Sequence, residues 1–417
     1  MFSVKGTFLD TPTPASFRIR KGFMVVENGL CAGFFDELPE ACREAEIYDY
    51  ADYLITPGLY DLHLHAPQYS FCGTAMDLEL IDWLSNYTYP EEAKYVNAEY
   101  AEQSYGYFVR DLKESATARA CIFATLHTDA TLILMRQLEE SGLITFVGKL
   151  NMDRNSPDHY REMSAEAGVA ETRRWIEKCR NFTRTLPIIT PRFTPSVTDE
   201  YMAALGELSE KYDLPVQSHL SESTSEIEWV RALCPDAETY ADTYARYGLF
   251  GEERTAVMAH CIHCTAKENE LLKKNGVYIA HCPTSNANVI AGICPAAFYL
   301  RNDFRIGLGS DVAGGHTLNL FTVMTFAVQS SKLRWKYIDQ SERPLTFAES
   351  FYMASAGGGR VFGKTGLFEP GYDFDAIVLD DSMLHNNRDF TPLERLERYA
   401  YLGDGKPSAK FVCGKKL

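Results

Sequence analysis

No stretch of about 18 consecutive apolar residues occurs in the chain, so no membrane-spanning helix is expected. The opening residues Met1 to Leu9 carry one lysine and only brief apolar content, and no secretory signal is read there. Eleven cysteines are scattered between Cys31 and Cys413 without the short, regular spacings of a secreted disulfide framework. A reducing compartment, the cytoplasm, is the expectation. Positive charge is in deficit: 41 Lys and Arg face 57 Asp and Glu, for a formal net charge of -16. Such a surface repels phosphate backbones and anionic headgroups, which argues against nucleic acid and membrane partners. A small uncharged substrate meets no such barrier. Internal repeats and low-complexity segments are also lacking.

What is present is an ordinary globular composition, 46% apolar and 24% charged, over 417 residues. That length exceeds what one core supports, so a large domain with a smaller accessory layer is expected. Residues 1–57 read as short alternating strands, for example Ala15 to Ile19 and Gly22 to Glu27, and residues 366–417 repeat that texture at Phe374 to Leu379 and Ala409 to Cys413. The two ends are expected to share a small β-sandwich domain. Between them, over 58–365, eight apolar runs each end in a polar residue and lead into a longer helical or irregular segment. They are Leu54 through Leu59 to His65, Ala120 to Thr125, Ile144 to Leu150, Pro187 to Arg192, Pro215 to His219, Ala256 to His260, Val277 to His281, and Arg305 to Asp311. Strand and helix alternating eight times predict an α/β fold, a (β/α)8 TIM-type barrel whose chemistry sits at the C-terminal ends of its strands. The aromatic-rich segment from Pro67 to about Tyr100 reads equally as a lid over that mouth or as an accessory helix packed beside it.

His63 and His65 end the first run, and residues i and i+2 of a strand face the same way. Neutral imidazole suits zinc and iron, and such a pair needs only one or two further ligands to make an open catalytic site. His219, His260 and Asp311 end the fifth, sixth and eighth runs at the same rim. Singly, each histidine is more often structural; together at one barrel mouth they point to a metal centre. Cys261-Ile262-His263-Cys264 contains a lone C-x-x-C and is read as a loop rather than a zinc knuckle. His127 and His281 are given structural or supporting roles.

The string Pro57-Gly58-Leu59-Tyr60-Asp61-Leu62-His63-Leu64-His65 resembles the opening signature of the amidohydrolase superfamily. His219-Leu220-Ser221-Glu222 resembles the ligand and proton-shuttle motif of its deaminases, and Ser310-Asp311 resembles the final strand's ligand. The resemblance implies one divalent metal, zinc in preference to iron, held by His63, His65, His219 and Asp311, with His260 bonded to the attacking water and Glu222 carrying protons. Within the superfamily the chain is most similar to the guanine deaminase branch. That likeness rests on His65 to Tyr69, Trp83 to Glu91, Thr190-Pro191-Arg192-Phe193 and Asp311 to Gly315, and the His281 to Asn286 sequence also fits. It implies that Gln68, Arg192 and Phe193 hold the base, with Trp83 among the lid aromatics beside it and His219, Glu222 and Asp311 also within reach. It further implies a homodimer. The residue types suit these roles: Arg192 offers a planar fork of donors to a carbonyl, and Gln68 offers both a donor and an acceptor. For Arg192, an ion pair with an acidic residue is the competing role.

The expected reaction is hydrolytic deamination of guanine to xanthine and ammonia by a metal-activated hydroxide. Asp311 accepts the water's proton, His260 stabilises charge, and Glu222 protonates the ring nitrogen and then the departing amine. Gly315-His316-Thr317 departs from the expected aromatic or small residue and is expected to bear on the pocket. Two alternatives stay open: an amidohydrolase acting on another aminated or chlorinated heterocycle (a cytosine, triazine or nucleoside type), and a non-catalytic barrel of the same superfamily.

Overall fold

The computed structural model describes residues 1–251 and 253–417. Two arcs of four parallel strands form the central body. One runs Leu59–His65, Thr117–Phe123, Ile144–Gly148 and Thr185–Pro187; the other runs Val216–Leu220, Ala256–His260, Tyr278–His281 and Arg305–Leu308. Backbone hydrogen bonds close both seams. At one, Ile189 N–H donates to the Pro215 carbonyl at 2.9 Å and accepts from Gln217 N–H at 2.9 Å; at the other, Asp311 N–H donates to the His63 carbonyl and His65 N–H to the Val312 carbonyl, both at 2.8 Å. Every residue of Leu59–His65 and of Thr117–Phe123 is buried, as expected of strands covered on both faces.

Several strands differ in extent from the sequence reading. The third and fourth runs are broken: Leu150–Asn151 and Thr190–Pro191 pair with each other as a separate two-stranded ladder. Pro187 and Pro191 lack the N–H a continuous ladder needs, and a Cβ on Gly148 would lie 1.7 Å from Thr190 Oγ1, so the chains cross closely at the break. The last strand stops at Leu308, which places Gly309 to Asp311 in an irregular segment.

The two ends of the chain join in one hydrogen-bonded sheet of seven strands, in the order Lys415–Lys416, Ala409–Val412, Ala376–Leu379, Glu46–Pro57, Phe2–Thr13, Ser16–Glu27 and Leu30–Phe35. It is sandwich-like, enclosing its own core in which Phe8 meets Phe368 and Phe2 stacks on Phe411. Gly22, read as the start of a separate strand, lies inside the continuous strand Ser16–Glu27; a Cβ there would sit 2.3 Å from the Phe35 carbonyl oxygen, so glycine serves close approach. A helix, Pro392–Leu402, intervenes in the C-terminal segment, opened by a Thr391–Glu394 capping box with proline in its first turn.

This sheet grips the end of the barrel remote from the histidines. Buried Arg119, near the start of its strand, pairs with Asp375 at 2.6 Å and Asp373 at 2.7 Å, and Tyr60 donates to Asp375. The buried Lys410 ammonium donates to the carbonyls of Ser115 and Thr117 at 3.0 and 2.8 Å. Among the described residues no helix is long and apolar enough to cross a membrane.

Candidate active site

The C-terminal strand ends gather the predicted groups at one mouth. His63 and His65 project from Leu59–His65 with ring centroids 4.9 Å apart. His63 Nε2 lies 3.2 Å and His65 Nε2 3.5 Å from Asp311 Oδ1, and His65 Nε2 lies 3.2 Å from His219 Nε2. His260 Nε2 approaches Asp311 Oδ2 at 3.7 Å and Glu222 Oε2 at 3.5 Å. Phe123 packs against the rings of His63, His65 and His219, fixing all three from below. The irregular backbone after the strands turns these side chains inward: Ser221, His260, Cys261 and Asp311 all adopt left-handed φ angles between 48° and 73°, a conformation costly for non-glycine residues and concentrated here.

Neighbouring groups set the tautomers. His219 Nδ1–H donates to the Arg192 carbonyl at 2.6 Å, which leaves Nε2 as the lone-pair atom. His260 Nδ1–H donates to Asn286 Oδ1 at 2.9 Å, with the same result. Burial holds His63 below the ordinary imidazole range and His65 and His219 well below it, so these rings are neutral donors. Burial works against the Asp311 carboxylate, yet His63, His260 and His65 hold it ionised, well below the usual range.

These donors fit a divalent cation. The ligand atoms of His63, His65 and Asp311 lie within 4.8 Å of one another, as do those of His63, His219 and His260. The Nε2 atoms of His63 and His260 are buried without a hydrogen-bond partner, and the Nε2 atoms of His65 and His219 face each other at 3.2 Å, an arrangement a shared cation would satisfy. Cys282 lies in the same cluster with His260 and Asp311. Burial and the Asp311 charge keep it a thiol, and it donates to the Ala280 carbonyl at 3.4 Å, so it does not offer the thiolate a metal takes.

Glu222 follows the strand Val216–Leu220, and its backbone is pinned by the next helix. Glu226, in the Ser223–Glu226 capping box of Thr224–Leu233, accepts the Glu222 N–H at 2.9 Å. Burial, together with the charges of Glu226 and Asp311, raises the Glu222 carboxyl well above its ordinary range. Asp61 plays a similar role on the first strand: its Oδ1 accepts from the backbone N–H groups of His63 and Ser310, which registers the Asp311 segment against His63.

Beside the cluster opens a cavity at the barrel mouth. Gln68, Trp83, Arg192 and Phe193 line it together with the histidine, Glu222 and Asp311 side chains. Phe193 is braced edge-on by Trp229 at 5.9 Å, and Trp83 packs on Phe71 at 5.5 Å. The Trp83 Nε1–H is buried without a hydrogen-bond partner. Arg192 forms the ion pair considered for it, with buried Glu92 at 2.6 Å, and also lines the cavity. The segment after the first strand is helical in short pieces. Leu80, Trp83 and Leu84 cover the cavity, whereas the later helix Tyr89–Ala93 packs behind it.

All ten sequence-predicted site residues thus converge on one cluster and its cavity. His316, expected to bear on the pocket, is exposed and bonds Asn288 instead. His281 is buried away from the cavity, His127 lines a separate outer cleft, and Cys261 to Cys264 form a loop held by His263 to the Ala291 carbonyl. Sequence reasoning missed Glu92, Asn286 and Glu226. The capping-box spacing at Ser223 signalled Glu226; nothing in the local pattern distinguishes Glu92 from its neighbour Glu91.

The cluster of imidazoles and a carboxylate at a barrel mouth defines a metal-dependent hydrolase, and the chain belongs to the amidohydrolase family, whose sequence profile, described as "Amidohydrolase family", matches residues 54–415. Its relatives are more specific. The guanine deaminase of Dictyostelium discoideum is 36% identical over 385 residues, covering 90% of this chain and 85% of the relative. That of Escherichia coli (strain K12) is 31% identical over 413 residues, covering 94% and 89%. The crystal structure of guanine deaminase from C. acetobutylicum with bound guanine in the active site superposes with a TM-score of 0.97 at 44% identity, covering 100% of this chain and 99% of that one.

Proposed function

We propose that this protein catalyses the hydrolytic deamination of guanine to xanthine and ammonia. What supports the reading above all is a cation-ready cluster, His63, His65, His219 and Asp311, beside a cavity walled by Gln68, Trp83, Arg192 and Phe193, in a chain whose relatives are guanine deaminases. A bound divalent cation, zinc in our reading, supplies Lewis acidity and lowers the pKa of water to about 7.

The chain's own groups perform the remaining work. Arg192 donates to the base's carbonyl oxygen, Gln68 matches an edge carrying both donor and acceptor, and Phe193 and Trp83 confine the ring plane. Asp311 accepts a proton from the attacking water, and the His260 Nε2 lone pair, left free by the Asn286 bond, accepts a hydrogen bond from that water and orients it. Glu222 delivers its proton to the ring nitrogen beside C2, which removes aromatic resistance to attack. As the C2 carbonyl forms, Glu222 takes the proton of the newly added hydroxyl and passes it to the departing amine, and the proton held by Asp311 restores the starting state. The raised proton affinity of Glu222 suits it to the first donation. Water is consumed and ammonia released. We further infer a homodimer working in the cytoplasm, with 58–365 as the hydrolase barrel and 1–57 and 366–417 as the accessory β domain.

Incubating purified protein with guanine while following ultraviolet absorbance and ammonia tests the reading. Conversion of guanine with release of ammonia is expected; a far higher kcat/KM on cytosine, a triazine or a nucleoside would replace the substrate, and no turnover of any of them would favour a non-catalytic barrel.

A further inference from the structure

Glu92, on the short helix Tyr89–Ala93, is completely buried, and four donors converge on its two oxygens. Arg192 Nη1 at 2.6 Å and Tyr160 Oη at 2.8 Å reach Oε2; Gln68 Nε2 at 2.8 Å and Arg192 Nη2 at 3.3 Å reach Oε1. A carboxylate has about four acceptor positions, so Glu92 has none left for a ligand. It does not line the cavity, but two of its partners, Gln68 and Arg192, do.

The consequences for those partners are specific. With Nε2 held by Glu92 and Oε1 accepting from Ala313 N–H at 3.2 Å, the Gln68 amide has one orientation, which fixes the donor and acceptor edge it turns to the cavity. Arg192 is gripped by both terminal nitrogens and lies over the Tyr89 ring at 5.1 Å, so its guanidinium plane is fixed as well. The ion pair also cancels its charge. A free guanidinium favours anions, whereas one paired with a carboxylate offers oriented N–H groups without a net field.

We propose that Glu92 is a positioning and specificity-determining residue that locks Arg192 and Gln68 into a single donor pattern read by the 6-oxo edge of a neutral purine. The assignment rests on the reading of the substrate as guanine. Loss of the pattern weakens bases that carry the carbonyl and leaves those that lack it nearly unaffected.

The test compares guanine as substrate with 2-aminopurine as competitive inhibitor; the latter keeps the 2-amino group and lacks the 6-oxygen. In Glu92→Gln, the KM for guanine should rise about tenfold or more while the Ki of 2-aminopurine changes less than about threefold. Removing the buried counter-charge can prevent folding. Tyr160→Phe therefore serves as a second variant: it deletes one hydrogen bond to Glu92 without changing charge and should shift guanine alone, by about two- to threefold. Equal weakening of both bases would mark a merely structural role and overturn the proposal, as would no change in either. Failure of the unmutated protein to deaminate guanine would instead overturn the substrate reading on which the proposal stands.

Discussion

Glu222→Gln separates proton transfer from metal and base binding. The glutamine side chain is nearly isosteric, and the Glu222 backbone stays anchored because its N–H bonds Glu226, not its own carboxyl. None of His63, His65, His219 and Asp311 depends on the Glu222 side chain for orientation; His219 is held by the Arg192 carbonyl and Asp311 N–H by the His63 carbonyl. Metal content should therefore match that of the unmutated enzyme, and the KM for guanine should move little. An amide cannot deliver a proton to the ring nitrogen or the departing amine. A positioned general acid or base contributes roughly 10²–10⁴-fold. Glu222 serves both proton deliveries, so the loss in kcat should lie toward the upper end, ~4–5 kcal/mol of transition-state stabilisation. Ammonia release under saturating guanine gives kcat, and elemental analysis of the same sample gives metal per chain. A kcat within about threefold of the original would refute the shuttle role, because such a change is under ~1 kcal/mol. Loss of metal would refute the claim that Glu222 stands outside the ligand set.

Two predictions concern stability. Asp375→Asn leaves the Arg119 guanidinium buried beside Asp373 alone and should cost about 3–5 kcal/mol, read as a lower melting temperature; an unchanged melting temperature would show that the seam between sheet and barrel does not depend on this pair. Burial opposes the Glu349 carboxylate, but Arg301, the Thr346 amide and Arg343 hold its pKa down to about 2 from 4.5. The folded state thus releases this proton more readily than the unfolded chain, so the stabilisation is present above pH 4.5 and is lost as pH falls toward 2. Denaturation measured across that window should show the gap between the unmutated protein and Glu349→Gln narrowing with acid; a gap independent of pH would contradict the assignment.

The barrel was legible because its strands carry a repeated signal: an apolar run closed by a polar residue at the functional rim. The site was legible for the same reason, since His63, His65, His219, His260 and Asp311 each stand at or just beyond a strand end. Boundaries were less so. Pro187 and Pro191 sit inside an apolar run and divide it by removing backbone donors, which hydrophobicity does not register. Gly22 carries the composition of a turn, but the neighbouring Phe35 carbonyl requires glycine within a strand, a constraint set by a partner distant in sequence. The helix Pro392–Leu402 did have a local signature, Thr391 followed by Pro392 and Glu394, which the strand-like sequences on either side obscured. Glu92 was invisible for a deeper reason. Its importance comes from Gln68, Tyr160 and Arg192, which only tertiary structure brings to one carboxylate.

Metal titration of the chelator-stripped protein bears most directly on the central claim that one cation, held by His63, His65, His219 and Asp311, activates water for guanine hydrolysis. Guanine deamination should be absent without metal and rise linearly with added zinc to a plateau at one equivalent per chain, and His219→Ala should lose tight uptake. Full activity in the stripped protein, or a plateau reached only at two equivalents, would contradict it.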